Sequence, residues 1–326
     1  MKRIVFMVLA VGLFVCSGLI CVSTSSATSK LIPIYTPASG GTGYILGAGI
    51  ASVTKKYVPD VEMVVEPTTG ALEMVKRIME REQIKKEGLG IFGTVDAYYA
   101  FKGLREYAGK PYPNLRAMTF LWGADIYLVV PANSPIKSYA DLKGKRVGMH
   151  GAGSSISLVA FSLLEAHGVK RDNFKPYFFV YRETMEGIID GSLDAGFLGG
   201  SYPMASYTEL SLAHSVRIVP VDENVIKEMV RESPYYYRAV VKAKSYKGLE
   251  QDTPIFGFAA GLFTHATVSA DLVYNIVKNL YEHRMEYYQV HASAKEMTPE
   301  SALKGIAIPL HPGAEKYFKE IGIIKR

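Results

Sequence analysis

A glycine-rich loop followed by two serines is the stretch of this sequence best suited to binding a ligand. Gly151, Gly153, Ser154 and Ser155 follow a short apolar segment and precede a run in which apolar residues recur with helical spacing. A strand, a glycine loop and a helix in that order leave backbone N–H groups at the helix N-terminus, where the helix dipole favours an anion. The pattern therefore predicts a site for a carboxylate or phosphate, to which the serine hydroxyls add donors.

A similar loop occurs near the start of the chain, in the sequence S-G-G-T-G-Y-I-L-G at residues 39–47. Two more loops, Thr68–Gly70 and Gly93–Thr94, also combine glycine with hydroxyl groups after predicted strands. Ligands of parallel sheets lie beyond the carboxyl ends of the strands, so we expect these loops to line one edge of the sheet. The alternative is that each loop only reverses the chain direction. Donor-rich loops on two separate α/β halves favour a ligand held from both sides of a cleft.

The catalytic motifs that we searched for are missing from the sequence. It has no G-x-S-x-G elbow, no H-E-x-x-H motif and no pair of histidines at metal-ligand spacing. We expect Asp190 and Asp194 to form a turn, although they could be paired carboxylates. We expect Arg182 to lie at the surface, although it could neutralise a ligand carboxylate. A hydrolase using Ser154 or Ser155 is the least favoured hypothesis, since no histidine is placed in the sequence to act as its base. The sequence predicts a binding protein without catalytic residues, metal or cofactor.

The N-terminus has the features of a signal peptide. Lys2 and Arg3 precede an apolar run at residues 4–22, and small residues then lead to a cleavage site after Ala27. The apolar run is close to spanning length, so an uncleaved anchor is one alternative, and lipidation at Cys21 is another. We expect cleavage and a periplasmic location.

Composition narrows the function further. Cys16 and Cys21 are the only cysteines and both lie in the predicted leader, so the mature chain would have no disulfide and no thiolate metal site. The net charge of +6 falls to +4 without Lys2 and Arg3, and the remaining lysines are scattered, which argues against nucleic-acid binding. Removing 27 of 326 residues leaves about 299, enough for one large or two medium domains.

The order of predicted elements indicates an α/β protein with two lobes. Predicted strands occupy residues 31–35, 61–65, 88–92, 117–121, 126–130, 146–149, 177–180, 195–198, 217–221, 235–241 and 254–267. Predicted helices occupy 43–57, 155–166, 184–190, 202–210, 271–291, 301–304 and 313–320, and two more open after Gly70 and Gly93. The βα pattern starts twice, and the long last strand would return the chain to the first lobe. We predict a signal peptide at 1–27, lobe 1 at 28–135 and 251–326, and lobe 2 at 136–250.

At this point the sequence resembles the TAXI-type solute-binding proteins of tripartite ATP-independent periplasmic (TRAP) transporters. The resemblance covers essentially the whole mature chain. It is carried by the segments G-G-T-G-Y at 40–44, D-A-Y-Y-A at 96–100, V-V-P-A-N-S-P-I at 129–136, D-L-K-G-K-R-V at 141–147 and P-L-H-P-G-A at 309–314. The last of these is the most specific.

The resemblance implies a type II periplasmic-binding-protein fold, with the ligand cleft between two lobes joined by a hinge. It also implies a monomer that delivers a small organic anion, such as a dicarboxylate, glutamate or 2-oxoglutarate, to the membrane subunits of a TRAP permease. The candidate contacts, with Gly41 and Tyr202 added from the loop pattern, are Ser39, Gly41, Thr42, Tyr44, Thr69, Thr94, Gly153, Ser154, Ser155, Gly200 and Tyr202.

This chain departs from the family pattern at several of these loops. T-G-Y-I at 42–45 replaces the usual T-Y-Y-P, and G-T-V at 93–95 replaces Q-S-D. Because several polar positions have become small or apolar, a larger or less polar carboxylate is an alternative ligand. An exported sensor or scaffold that reuses the fold to signal to a membrane partner is the alternative function.

Overall fold

The structure is a computed structural model that describes residues 29–39 and 41–325. The predicted signal peptide and both cysteines lie outside these residues. Within them, no helix has the length and apolar character needed to cross a membrane.

The ten strands of the described residues form a single mixed sheet. They are β1 (Lys30–Thr36), β2 (Val61–Pro67), β3 (Leu89–Gly93), β4 (Leu115–Pro131), β5 (Arg146–Gly148), β6 (Lys175–Tyr177), β7 (Ala195–Gly200), β8 (Val216–Val219), β9 (Tyr236–Val241) and β10 (Thr253–His265). The α-helices are α1 (Thr42–Tyr57), α2 (Ala71–Gln83), α3 (Thr94–Lys102), α4 (Ser155–Ala166), α5 (Tyr181–Asp190), α6 (Ala205–Ala213), α7 (Glu223–Glu232), α8 (Ala270–Glu282), α9 (Arg284–Tyr287) and α10 (Pro312–Glu320).

Two parallel groups of strands flank a central antiparallel pair. The strand order is β2-β1-β3-β10-β4-β7-β5-β6, with β8 added to β4 and β9 added to β10. Strands β1, β2 and β3 are parallel to one another, as are β5, β6 and β7. Strand β10 runs antiparallel to both β3 and β4, and β4 runs antiparallel to β7. The predicted α/β class is confirmed, and β4 and β10 connect the two groups.

Strand β4 corrects the prediction of two separate strands at 117–121 and 126–130. It is one strand of 17 residues, buried at every position except Arg116 and Pro131. The interruption expected between the two apolar runs falls at Gly123, which pairs with Ala259 of β10. Pairing with β10 keeps the strand continuous across residues that have little strand propensity of their own.

Other predictions were wrong in the bounds or the presence of an element. The helix predicted at 271–291 is divided into α8 and α9 at His283, whose ring stacks on Tyr57 with 3.4 Å between centroids. The helix predicted at 301–304 is a series of turns, and α6 begins at Ala205 instead of residue 202. The strand predicted at 177–180 ends at Tyr177, and α5 starts earlier than expected. Helix α7 was not predicted, although Asp222 caps its N-terminus.

The P-L-H-P-G-A segment at 309–314 proves to be a packing element. His311 is fully buried, and its Nδ1 accepts the N–H of Gly313 at 3.2 Å while its Nε2 lies 3.0 Å from the carbonyl of Val268. Burial lowers the pKa of His311 to about 4, so the imidazole is neutral and Nε2–H donates to that carbonyl. His311 thereby caps α10 and holds it against the segment before α8.

We predict that Gly313→Ala destabilises the fold. A Cβ at this position would lie 2.1 Å from the carbonyl oxygen of Ala270, so α8 and α10 would have to move apart. We expect the free energy of unfolding, measured by denaturant titration, to fall by roughly 1–3 kcal/mol or more. Gly151→Ala is the matched control, because its Cβ would meet nothing closer than 3.9 Å. Equal stabilities of the two variants would contradict this account of the packing.

Candidate functional site

The N-terminus of α3 meets the N-terminus of α4 in the structure. Helix α3 follows β3 and helix α4 follows β5, and these two strands belong to different parallel groups. Gly93 is the N-cap residue of α3, and its N–H donates to Oγ of Ser155 at 3.2 Å. Ser154 is the N-cap of α4, and its Oγ accepts the N–H of Ser157 at 3.2 Å. Two of the loops that the sequence predicted to face each other are therefore in direct hydrogen-bonded contact.

A second contact lies beside the first, between the loops that follow β2 and β5. Gly70 is the N-cap of α2, with φ of 156°, and a Cβ on it would lie 2.7 Å from the carbonyl oxygen of Gly153. Only glycine permits this approach without a shift of the backbone. Together with the Gly93–Ser155 hydrogen bond, the contact brings three loops together at one edge.

Asp96, in the first turn of α3, is a buried carboxyl group at this junction. It is 2% exposed, and its Oδ2 has no hydrogen-bond partner among the described residues. Burial raises the pKa of Asp96 to about 7, the nearby hydroxyl of Ser155 opposes the shift, and the charge of Glu106 adds to it. The group therefore titrates near neutral pH beside the predicted anion-binding loops.

His150 corrects the expectation that no histidine is placed to approach the serines. Its Nδ1 lies 3.1 Å from Oγ of Ser154, because a backbone φ of 66° at His150 turns the ring back toward the helix. Burial lowers the pKa of His150 to about 4, so the ring is neutral. Its Nε2 has no partner among the described residues, so no carboxylate orients the ring as in a catalytic triad. The serine oxygen caps α4, and the pair is explained as a helix cap.

A second group of polar side chains surrounds the central strands. Asp125 of β4 is 9% exposed, and its Oδ1 accepts the hydroxyl of Tyr237 at 3.0 Å. Oε2 of Glu296 accepts the N–H of Gly123 at 2.9 Å, and Nζ of Lys304 lies 3.9 Å from the centre of the Tyr237 ring. We call Asp125, Tyr237, Glu296 and Lys304 the central polar cluster.

Charges in the central polar cluster act on one another. Burial raises the pKa of Asp125 to about 6, an effect that the Tyr237 hydrogen bond opposes. The charge of Glu296 raises it further, whereas Lys304 lowers it. Burial also raises the pKa of Glu296. The cluster thus combines two acids whose pKa is raised by burial with one lysine side chain.

Two predicted contacts, Gly200 and Thr94, border this cluster. Gly200 pairs with Asp125 across β7 and β4, and the hydroxyl of Ser201 donates to the Gly123 carbonyl at 3.3 Å. Thr94 is buried and its hydroxyl donates to the carbonyl of Ala259 on β10 at 3.1 Å. The loop after β3 therefore reaches the central strands as well as α4.

The other predicted contacts either bond to the helix that follows their own loop or lie at least partly exposed. The N–H and the hydroxyl of Thr69 both donate to Glu73 at 2.8 Å, so its polar groups bind a side chain in the first turn of α2. Ser39 and Tyr202 are exposed, while Gly41, Thr42 and Tyr44 are partly exposed around the start of α1.

The charged residues whose role the sequence left undecided have hydrogen-bond or ion-pair partners in the structure. Arg182 is exposed and pairs with Glu186, as expected of a surface arginine. Asp194 pairs with Arg146 at 2.8 Å and Asp190 accepts the N–H of Ser192, which places both in the expected turn. No group of three or more potential metal-ligating side chains gathers within residues 29–39 and 41–325.

Sequence reasoning missed Asp96 and the central polar cluster as parts of a site. The available signal was Asp125, an acid inside a long apolar run, since such residues are rarely buried without a partner. Tyr237, Glu296 and Lys304 come from distant segments. Tyr237 reaches Asp125 because β9 pairs with β10 and β10 pairs with β4, whereas Glu296 reaches β4 from the helical turn Ala292–Glu296.

We predict that Ser155→Ala loosens the contact between α3 and α4. The variant loses the acceptor of the Gly93 N–H, and a net hydrogen bond contributes about 1 kcal/mol. Amide hydrogen exchange at Gly93 should accelerate roughly fivefold, as measured by NMR. Ser162→Ala on the same helix is the control, because that hydroxyl donates to the carbonyl of Leu158 within α4. Unchanged exchange at Gly93 in Ser155→Ala would show that this hydrogen bond does not hold the loops.

We also predict a pH dependence of stability due to Asp96. The buried group holds its proton up to about pH 7, whereas an aspartate in the unfolded chain loses it near pH 4. The unfolded state thus binds fewer protons between these values, and stability should fall as pH rises by up to about 1.4 kcal/mol per unit.

Asp96→Asn should remove that slope. Denaturant titrations at several pH values between 4 and 8 would measure it, with exposed Asp271→Asn, in the first turn of α8, as the control. If wild type and Asp96→Asn follow the same pH profile, Asp96 is ionised in the folded protein.

Comparisons with known proteins agree with this architecture. A TctC solute-binding protein from Polaromonas superposes with a TM-score of 0.51 at 17% identity, over 82% of this chain and 87% of that one. XAC2383 from Xanthomonas citri bound to ATP gives 0.50 at 11% identity, over 90% and 96%. At these identities the likeness shows the fold alone, which is that of periplasmic solute-binding proteins. The family model described as NMT1-like matches residues 34–322, so this chain belongs to the NMT1-like family.

Proposed function

We propose that this protein is an extracytoplasmic receptor that binds a small organic anion between two lobes and delivers it to a TRAP-type permease. The observation that carries the proposal is the meeting of the α3 and α4 N-termini through Gly93 and Ser155. Helix N-termini offer unpaired N–H groups and a positive dipole end, both of which favour a carboxylate. Two of them on opposite groups of strands form a clamp for one anion.

The strand order supports a division into lobes 28–135 with 251–326, and 136–250. Strands β4 and β10 run between the two parallel groups, so a small bend in them would separate the groups. The loop contacts at Gly70 and Gly93 would break on opening and re-form around a ligand.

The central polar cluster supports an organic ligand with polar groups at more than one end. Its single ammonium group, on Lys304, can pair with a carboxylate, and Asp125 and Glu296 can accept hydrogen bonds from a hydroxyl or amino group. Dicarboxylates and amino acids such as glutamate or 2-oxoglutarate fit this combination. A larger or less polar carboxylate is the alternative ligand.

Delivery to a TRAP permease rests on the TAXI resemblance together with the signal-peptide pattern. We propose that the mature chain begins after about Ala27, is periplasmic and acts as a monomer. A TRAP permease supplied with this receptor should take up the ligand in vesicles carrying an ion gradient, and should not do so without the receptor.

One observation favours the alternative of an exported sensor or scaffold. The loops that would hold a ligand are in direct contact with each other, at Gly70 with Gly153 and at Gly93 with Ser155. A domain that signals to a membrane partner without a ligand would keep these contacts permanently. The two functions differ in whether a small molecule stabilises the protein.

We expect a thermal-shift screen of the mature protein to identify a carboxylate. A ligand present at 100 times its dissociation constant adds about 2.7 kcal/mol, which raises the melting temperature by a few degrees for a chain of this size. Ser155→Ala should weaken the response, because it removes a hydroxyl at the α4 N-terminus. Ser162→Ala should respond like the wild type.

The screen also separates the two functions. A receptor responds to at least one organic acid, and small-angle scattering then detects a change in shape on binding. No response from verified ligand-free protein to dicarboxylates, amino acids or aromatic acids would reject the receptor and favour the sensor.

A further inference from the structure

Asp96 has a buried carboxyl oxygen directed at the junction of two helix N-termini. Its Oδ2 and Oγ of Ser155 would each lie 2.7 Å from a Cβ placed on Gly93. Both oxygens therefore converge on the space above the Gly93 backbone. The serine oxygen accepts the Gly93 N–H, and the serine hydroxyl favours the ionised form of Asp96; Oδ2 has no other polar partner among the described residues.

Among the described residues, the groups that act on the Asp96 carboxyl include no cation. Beyond α3, the segment Arg105–Tyr107 contributes the charge of Glu106 and the buried hydroxyl of Tyr107. The α4 loop contributes the hydroxyl of Ser155. Arg105 of the same segment is paired with Glu165 on α4 at 3.0 Å. An ionised Asp96 would thus be buried with only dipoles to stabilise it, which is costly.

A ligand carboxylate at the α3 and α4 N-termini would make ionisation of Asp96 harder still. Two carboxylates that share one site cannot both be ionised without strong repulsion, so one of them keeps a proton. Protonated Asp96 then changes from a repulsive group into a hydrogen-bond donor, and its free Oδ2 is the atom that would carry the proton.

We propose that Asp96 is a ligand-binding residue that donates a hydrogen bond from its protonated carboxyl to the bound carboxylate, so that the anion binds together with one proton. The proton is taken from solvent whenever Asp96 is ionised in the free protein. This inference rests on the proposed receptor function and specifies the chemistry of the same site.

The consequence is a binding affinity that depends on pH with a defined sign. With the pKa of Asp96 at about 7 in the free protein, the group is already protonated at pH 6 and ionised at pH 8. Proton uptake on binding should be near zero at pH 6 and should approach one at pH 8. The dissociation constant should rise by up to about tenfold for each pH unit above 7.

The test is isothermal titration calorimetry of the mature protein with L-glutamate, 2-oxoglutarate and benzoate. Titrations at pH 6 and pH 8 in buffers of different ionisation enthalpy give the number of protons taken up. Asp96→Asn keeps a donor of similar shape, so we expect it to bind with the same affinity at both pH values and without proton uptake. Asp271→Asn, in the first turn of α8, should behave like the wild type.

Each result decides between the two proposals. Binding by the wild type without proton uptake at pH 8, or uptake that persists in Asp96→Asn, would overturn the role of Asp96 and leave the receptor function standing. No heat from any of the three acids, with a negative thermal-shift screen, would remove both. If Asp96→Asn fails to fold, the infrared difference spectrum of wild-type binding at pH 8 decides: the proposal requires a new protonated-carboxyl band.

Discussion

The antiparallel pairing of β4 with β10 is the constraint on which the rest of this structure depends. It extends from Leu115 opposite His265 to Ile126 opposite Phe256, and it joins two groups of parallel strands that otherwise lie apart in the sequence. Both strands are buried along nearly their whole length, so their backbone groups must be paired within the sheet. Since β3 pairs with β10 and β7 pairs with β4, the pairing also fixes which loops lie on each side of the junction.

Glycine is what allows the loops at that junction to approach. At Gly70 a side chain would collide with the backbone of Gly153, and at Gly93 it would collide with Asp96 and Ser155. The contacts are therefore between backbone groups and short polar side chains, which gain little from burying apolar surface. A junction of this kind separates at lower cost than an interdigitated apolar core. That property is consistent with the opening and closing proposed for a receptor.

The sequence was sufficient for the parts of the fold where each element carries its own signal. The first three βα units, up to α3, agree with the prediction because each apolar run is bounded by glycine or proline. It failed at β4, where the pairing with β10 overrides the local signal of Gly123, and at α7, where an amphipathic pattern behind Asp222 was overlooked. Boundaries set by tertiary contact, such as the division of α8 from α9 at His283, have no local signal to find.

The site also has features that the local sequence encodes and features that only tertiary contacts create. Glycine and serine loops can be recognised because their function comes from backbone geometry that the sequence encodes locally, and Gly93 and Ser155 do meet. Burial of a charge is different, because it depends on what distant segments place around it. Asp96 has no such local signal, and only the apolar run around Asp125 hints at burial, yet both acids are buried and both have a raised pKa. Folding opposes the burial of such groups, and under the proposed receptor function a ligand would complete their interactions.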